Sequence, residues 1–161
     1  MKKTTMTRLL HAVLIAAVLL AGLFFFAWLP MMGREMAAAE PELAWAYWPC
    51  LIWAWIFALP IFAAVYPAWL VFSSISRSEG AFTRQNAVCL RVIAILAFAD
   101  AVIFPAGMVT VAIMGAGSAP LAVVCTPAVM FVCAAVGIAA LVLSHLVDDA
   151  AEMKEDQDLT I

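Results

Sequence analysis

The sequence is short of charge. Of its 161 residues only 12% are Asp, Glu, Lys or Arg, and just two are histidine. Soluble domains carry roughly 25% charged residues, so a water-soluble globular domain is excluded. A net charge of −3 is also far from the basic surface that direct nucleic-acid binding needs. The four cysteines contain no Cys-x-x-Cys pair, which removes the zinc and redox motifs that rest on that spacing. No His-Glu-x-x-His, no glycine-rich phosphate loop and no serine nucleophile elbow occurs. These absences point away from an enzyme and give no reason to expect a cofactor or a metal.

What is present is apolar: 68% of residues are hydrophobic and the mean hydropathy is +1.10. Between the charges lie four apolar stretches, 9–32, 43–72, 87–114 and 120–147. Each exceeds the ~20 residues that a helix needs to cross ~30 Å of hydrocarbon. They are apolar on every face, unlike the ~10-residue alternating segments of a barrel. The expected fold is an all-α, integral membrane four-helix bundle over residues 1–147, with an acidic helical tail over 148–161. The first stretch follows Lys2, Lys3 and Arg8 and precedes Ala37, Ala38 and Ala39, as in a cleavable signal. At 24 residues it outruns the typical 7–15 of a signal core, so an uncleaved anchor is expected.

Lys and Arg set direction across a membrane, while Asp and Glu count for little. The amino end has three bases, and Arg77, Arg84 and Arg91 mark the second loop and the start of the third helix. The first loop has only Arg34 among Glu35, Glu40 and Glu42, and residues 115–119 carry no charge. Both termini are therefore expected in the cytoplasm of a bacterial inner membrane. The second stretch holds Pro49, Pro60, Pro67 and five of the six tryptophans. Trp45, Tyr47 and Trp48 fit an interfacial aromatic belt. The prolines imply a bent, tilted helix, or alternatively a broken one of the transporter kind.

Asp100 stands at the centre of the third stretch, 13 residues from its start and 14 from its end. An acid there costs roughly 2.5–3.5 kcal/mol on insertion scales and should face protein rather than lipid. It is either a structural tie, through Thr110, Thr126 or a tryptophan N–H, or a proton or cation site. His11, Asn86, Arg91 and His145 gather near the inner boundary. Arg84 and Arg91, seven apart, share a helix face and either snorkel to headgroups or receive the acidic tail. The cysteines act as small hydrophobes, with a Cys50–Cys125 disulfide as the alternative. Ala17 with Ala21, and Cys133 with Gly137, have the small-residue spacing of close helix contacts.

The tail concentrates the negative charge. Asp148, Asp149, Glu152, Glu155, Asp156 and Asp158 stand against Lys154 alone, a net −5. Leu146, Ala150 and Met153 form a modest apolar stripe, so helix 4 is expected to continue beyond the bilayer. Such a helix is repelled by anionic lipid. It projects as a solvated tail, folds against Arg77, Arg84 and Arg91, or binds a basic partner.

Two segments carry a resemblance. Gly80-Ala81-Phe82-Thr83-Arg84-Gln85-Asn86 with Leu90-Arg91, and Lys154-Glu155-Asp156-Gln157-Asp158-Leu159-Thr160-Ile161, resemble the signatures of the bacterial membrane family called domain of unknown function 2975. That resemblance implies four membrane helices and no assigned activity. It also implies a partner, because members are often encoded beside a small helix-turn-helix regulator. Under it, the tail from Asp148 to Ile161 would mimic DNA phosphate for that basic protein. Thr83 would cap helix 3, and Phe82, Arg84 and Asn86 would help to dock the tail. The competing reading is a small transporter or channel component, a homo-oligomer with Asp100 and the proline-rich helix in the pathway.

Overall fold

A computed structural model describes residues 3–76, 82–115 and 119–158, with side chains described over 7–74, 82–115 and 124–154. Arg77, Leu159, Thr160 and Ile161 lie outside the described residues, as do the side chains of Glu155, Asp156 and Asp158. The described chain is all helical: α1 (Lys3–Leu23), a π-helical turn (Phe24–Trp28), α2 (Leu29–Ala39), a 3-10 turn (Pro41–Ala46), α3 (Tyr47–Ala63), α4 (Val65–Ser76), α5 (Arg84–Ile113) and α6 (Ala119–Asp158). Four runs are long and apolar enough to cross a membrane: Thr7–Ala39, Pro41–Ser74, Arg84–Ile113 and Val124–Lys154. They overlie the four apolar stretches. At ~1.5 Å per residue the 40 residues of α6 reach about 60 Å, twice the ~30 Å of hydrocarbon.

Proline shapes the first two spans. In the π turn the Leu29 N–H donates to the Phe24 carbonyl, five residues back. The next carbonyl, on Phe25, would then look to residue 30, which is proline and has no N–H. The indole of Trp55 supplies the missing donor, its Nε1 lying 3.3 Å from the Phe25 oxygen. Span 2 is bent at Ala64, between Pro60 and Pro67, and is not interrupted. Ala64 keeps right-handed helical angles, its N–H reaches the Pro60 carbonyl at 2.9 Å, and Ala68 N–H reaches the Ala64 carbonyl at 3.1 Å. The bent helix of the two sequence readings is the one observed.

The packing is serial. Span 1 packs on span 2, span 2 on α5, and α5 on α6, the most extensive contact of all. Among the described residues span 1 and α6 share no packed interface, so the expected bundle is an open row with α5 as its third member. Phe25, Phe57, Phe104 and Trp53 form an aromatic chain through spans 1 to 3, with successive ring centroids 5.2–6.4 Å apart. The Trp53 indole N–H donates to the Ile103 carbonyl at 3.3 Å. Its ring occupies the notch left by Gly107, where any Cβ would collide with the indole.

α6 meets α5 through a stripe of small residues. Gly137, Ala140, Ser144, Val147 and Ala151 are all buried at alternating three- and four-residue spacing, as close helix approach in lipid requires. A Cβ on Gly137 would sit 3.0 Å from the Phe98 ring. The stripe expected at Leu146, Ala150 and Met153 is not the packed one, since Leu146 is 58% and Met153 61% exposed. Between helices that gain nothing from leaving lipid, closeness of approach decides the interface, and the smaller side chains win it. All four cysteines are free thiols, so Cys50 and Cys125 are not joined.

The notch gives a sharp prediction. Gly107→Ala should expel the Trp53 ring and lower stability by about 1–3 kcal/mol, read as the midpoint of an SDS unfolding titration. Gly22→Ala, whose Cβ meets nothing, should be neutral or stabilising.

Candidate functional site

The end of the row that bears the amino terminus also bears the 76–84 connection and the end of α6, and its polar residues are joined. Thr83 has extended backbone angles and caps α5, its Oγ1 accepting from the Asn86 N–H at 3.3 Å. That places Asn86, 2% exposed, against span 2, where its Nδ2 donates to the Ser74 Oγ at 2.6 Å. The Ser74 hydroxyl in turn donates to the Val71 carbonyl at 2.8 Å. On the far side of span 2, His11 lies with Nε2 3.3 Å from the Ser73 Oγ and Nδ1 2.8 Å from the Thr7 carbonyl. Its ring stands edge-on to Trp69, with centroids 4.3 Å apart. On the other side of α5, the fully buried Ser144 donates to the Ala87 carbonyl at 2.8 Å.

Three inter-span hydrogen bonds therefore tie the four spans in order, His11 to Ser73, Asn86 to Ser74 and Ser144 to Ala87. In lipid each is worth on the order of 0.6 kcal/mol, so together they fix register more than they add stability. One turn along α5, Arg91 meets Asp148 of α6 at 3.8 Å with both side chains nearly half exposed. Such a pair contributes at most ~1 kcal/mol, but it shows which surface the first acid of the tail faces.

The other expected residues distribute around this tier. His11 and Asn86 belong to it, whereas His145 is exposed beside it. Arg84 and Phe82 are exposed, and Arg91 is paired with the tail acid Asp148. Asp149 and Glu152 are exposed on the helical continuation of α6. Ser73, Ser74 and Ser144 have no role in the sequence reading. Their signal is faint: an isolated serine within one helical turn of a span's end.

The profile of a family described as protein of unknown function (DUF2975) matches residues 31–161. The chain belongs to the DUF2975 family. The match opens inside span 1, so it takes in Ser74, Asn86, Arg91, Ser144 and the tail of this DUF2975 member but not His11. Neither the curated proteins nor the solved structures yield a match to it.

A second polar feature lies away from the tier. Asp100 is 5% exposed in the middle of α5, and its Oδ1 has no hydrogen-bond partner. None of the ties expected for it is the one formed. The Thr110 hydroxyl donates to the Ala106 carbonyl at 2.8 Å, and the Trp53 and Trp55 indoles donate to the Ile103 and Phe25 carbonyls. The Phe25 carbonyl left open before Pro30 takes the Trp55 donor, Trp53 goes to the carbonyl beside its Gly107 notch, and Thr110 bonds back along its own helix. Among the described residues no three metal-ligating side chains come together.

Opposite signs of effect separate the two features. Ser144→Ala should lower the SDS midpoint by about 0.6 kcal/mol, and Ser144→Leu, with no space around a fully buried side chain, by about 1–3 kcal/mol. Asp100→Ala should raise it, because the variant removes a buried carboxyl group whose Oδ1 has no hydrogen-bond partner.

Proposed function

We propose that this DUF2975 member is a membrane-embedded binding module, not an enzyme, that holds a basic cytoplasmic protein on the acidic face of the α6 extension. One observation carries the reading. α6 continues to Asp158 without a break, and its buried stripe runs on through Val147 and Ala151 while Asp149 and Glu152 stay exposed. The acids thus stand on the outer face of a helix packed from behind, with Leu146 and Met153 exposed between them. A packed helix loses little further freedom on binding, which favours affinity. The basic amino end and Arg77, Arg84 and Arg91 favour the cytoplasmic side of a bacterial inner membrane for both termini, where a small helix-turn-helix DNA-binding protein offers the complementary surface. Asp148, Asp149, Glu152, Glu155, Asp156 and Asp158 supply the charge, Leu159, Thr160 and Ile161 the end of the contact, and Arg77, Arg84 and Arg91 the counter-surface.

A second reading has its own observation. An unpartnered carboxylate at mid-membrane depth is costly, and such costs persist chiefly where they serve a function. Asp100 then belongs to a proton or cation path through an oligomer of open rows.

A pull-down of detergent-solubilised protein distinguishes them. The intact chain should recover a basic helix-turn-helix protein that salt releases, and both deletion of 152–161 and the Asp148→Asn, Asp149→Asn, Glu152→Gln variant should lose it. Equal recovery from all three removes the tail from the mechanism. A proton or cation flux in vesicles that Asp100→Asn abolishes and the tail deletion spares would establish the second reading.

A further inference from the structure

Spans 1 and 2 part at the end opposite the polar tier and enclose a cavity of about 270 Å³. It lies between α2, the 3-10 turn and the first half of α3. Met32 and Met36 line one wall, Leu51, Tyr47 and Trp53 the other, and among the described residues Glu40 is the only charged side chain at its edge. Arg34, the single base between residues 9 and 76, does not face it. Its Nε donates instead to the Tyr47 hydroxyl at 3.3 Å. A second cavity of about 240 Å³, between Ala17, Ala21, Ile61 and Val65, is apolar throughout and reads as space for lipid.

The first cavity differs in its chemistry. Thioether walls are deformable and suit ligands of irregular shape. Aromatic rings favour cations over neutral groups of equal size. Glu40 gives the apolar cavity an acidic edge, in a segment where Glu35, Glu40 and Glu42 outnumber Arg34. We infer that this cavity binds a small lipophilic cation, a substituted ammonium on one apolar arm, with the arm between Met32, Met36 and Trp53 and the charge beside Glu40 and Tyr47. Its volume lies just below the ~300–1,000 Å³ of drug-sized sites, which limits the arm to one ring or a short chain. The site is independent of the tail and of Asp100.

Calorimetry on the full chain in zwitterionic nanodiscs tests this, with empty discs as the reference. The probes are benzyltrimethylammonium and its uncharged isostere neopentylbenzene. The cation should bind saturably and the isostere should not. Glu40→Gln, an exposed change that leaves the fold intact, should weaken the cation about fivefold, and Ala37→Phe, which fills the cavity from α2, should abolish binding. Absence of saturable binding would overturn the inference. So would equal binding of the two probes, or an affinity that Glu40→Gln leaves unchanged.

Discussion

The controlling constraint is that a backbone group inside hydrocarbon has no water to turn to. Each unpaired N–H or C=O there costs several kcal/mol, and each proline within a span removes one donor. Before Pro30 the chain answers with tryptophan, and a second tryptophan on the same helix ties the opposite neighbour. Trp55 satisfies the Phe25 carbonyl that Leu29 and Pro30 leave open, and Trp53 reaches the Ile103 carbonyl through the Gly107 notch. These two indoles lie two residues apart on α3 and reach opposite neighbours, so span 2 is fastened to span 1 on one side and to α5 on the other. The concentration of tryptophan in the second stretch is therefore only partly an interfacial belt. Trp45 and Trp48 are exposed near the helix start, as a belt requires, while Trp53 and Trp55 act as internal donors.

From that fastening the serial order follows. With span 2 fastened to spans 1 and 3, α6 packs on the side of α5 away from span 2, by the closest means lipid allows, a stripe of Gly, Ala and Ser with one Val. The polar tier repeats the same order at the other end, one hydrogen bond per neighbouring pair. Spans 1 and 4 remain edges of an open row, and their outward faces carry large exposed apolar residues such as Leu19, Leu20, Phe131 and Val132. In a membrane these faces are covered by acyl chains and need no protein partner.

Much of this was legible in the sequence, because length and charge dictate it. Four apolar runs give four spans, Thr83 reads as a cap before a helix that does begin at Arg84, and a lone acid at the centre of a span must be buried, as Asp100 is. What could not be read is pairing. Leu146, Ala150 and Met153 look like a packing stripe to any rule that ranks side chains by hydrophobicity, yet lipid satisfies leucine as well as protein does. The preference for small residues appears only once the helix partner is known. The same ignorance hid Ser73, Ser74 and Ser144, whose value lies in the residue each meets 62, 12 or 57 positions away. It also misassigned the tryptophan N–H groups to Asp100, because the carbonyl on Phe25 becomes needy only when the turn before Pro30 opens to five residues.

Asp100 stands apart from the buried polar groups of the described membrane helices in having a buried oxygen without a partner. Ser74, Asn86, Ser144, Thr110, Trp53 and Trp55 each have a partner, and each partner explains why the residue is tolerated in lipid. The carboxyl has neither a tie to another helix nor a counter-charge. Packing does not require it either, since alanine serves at Ala87 and Ala94 along the same helix, both almost fully buried. A residue whose replacement by alanine is expected to strengthen the fold finds no account within the folding balance. The exposed acids of α6 raise no such question, because water stabilises them wherever the helix clears the bilayer. Of the two features proposed to carry function, the helical extension of α6 is the one the fold presents, and Asp100 is the one for which the fold supplies no partner.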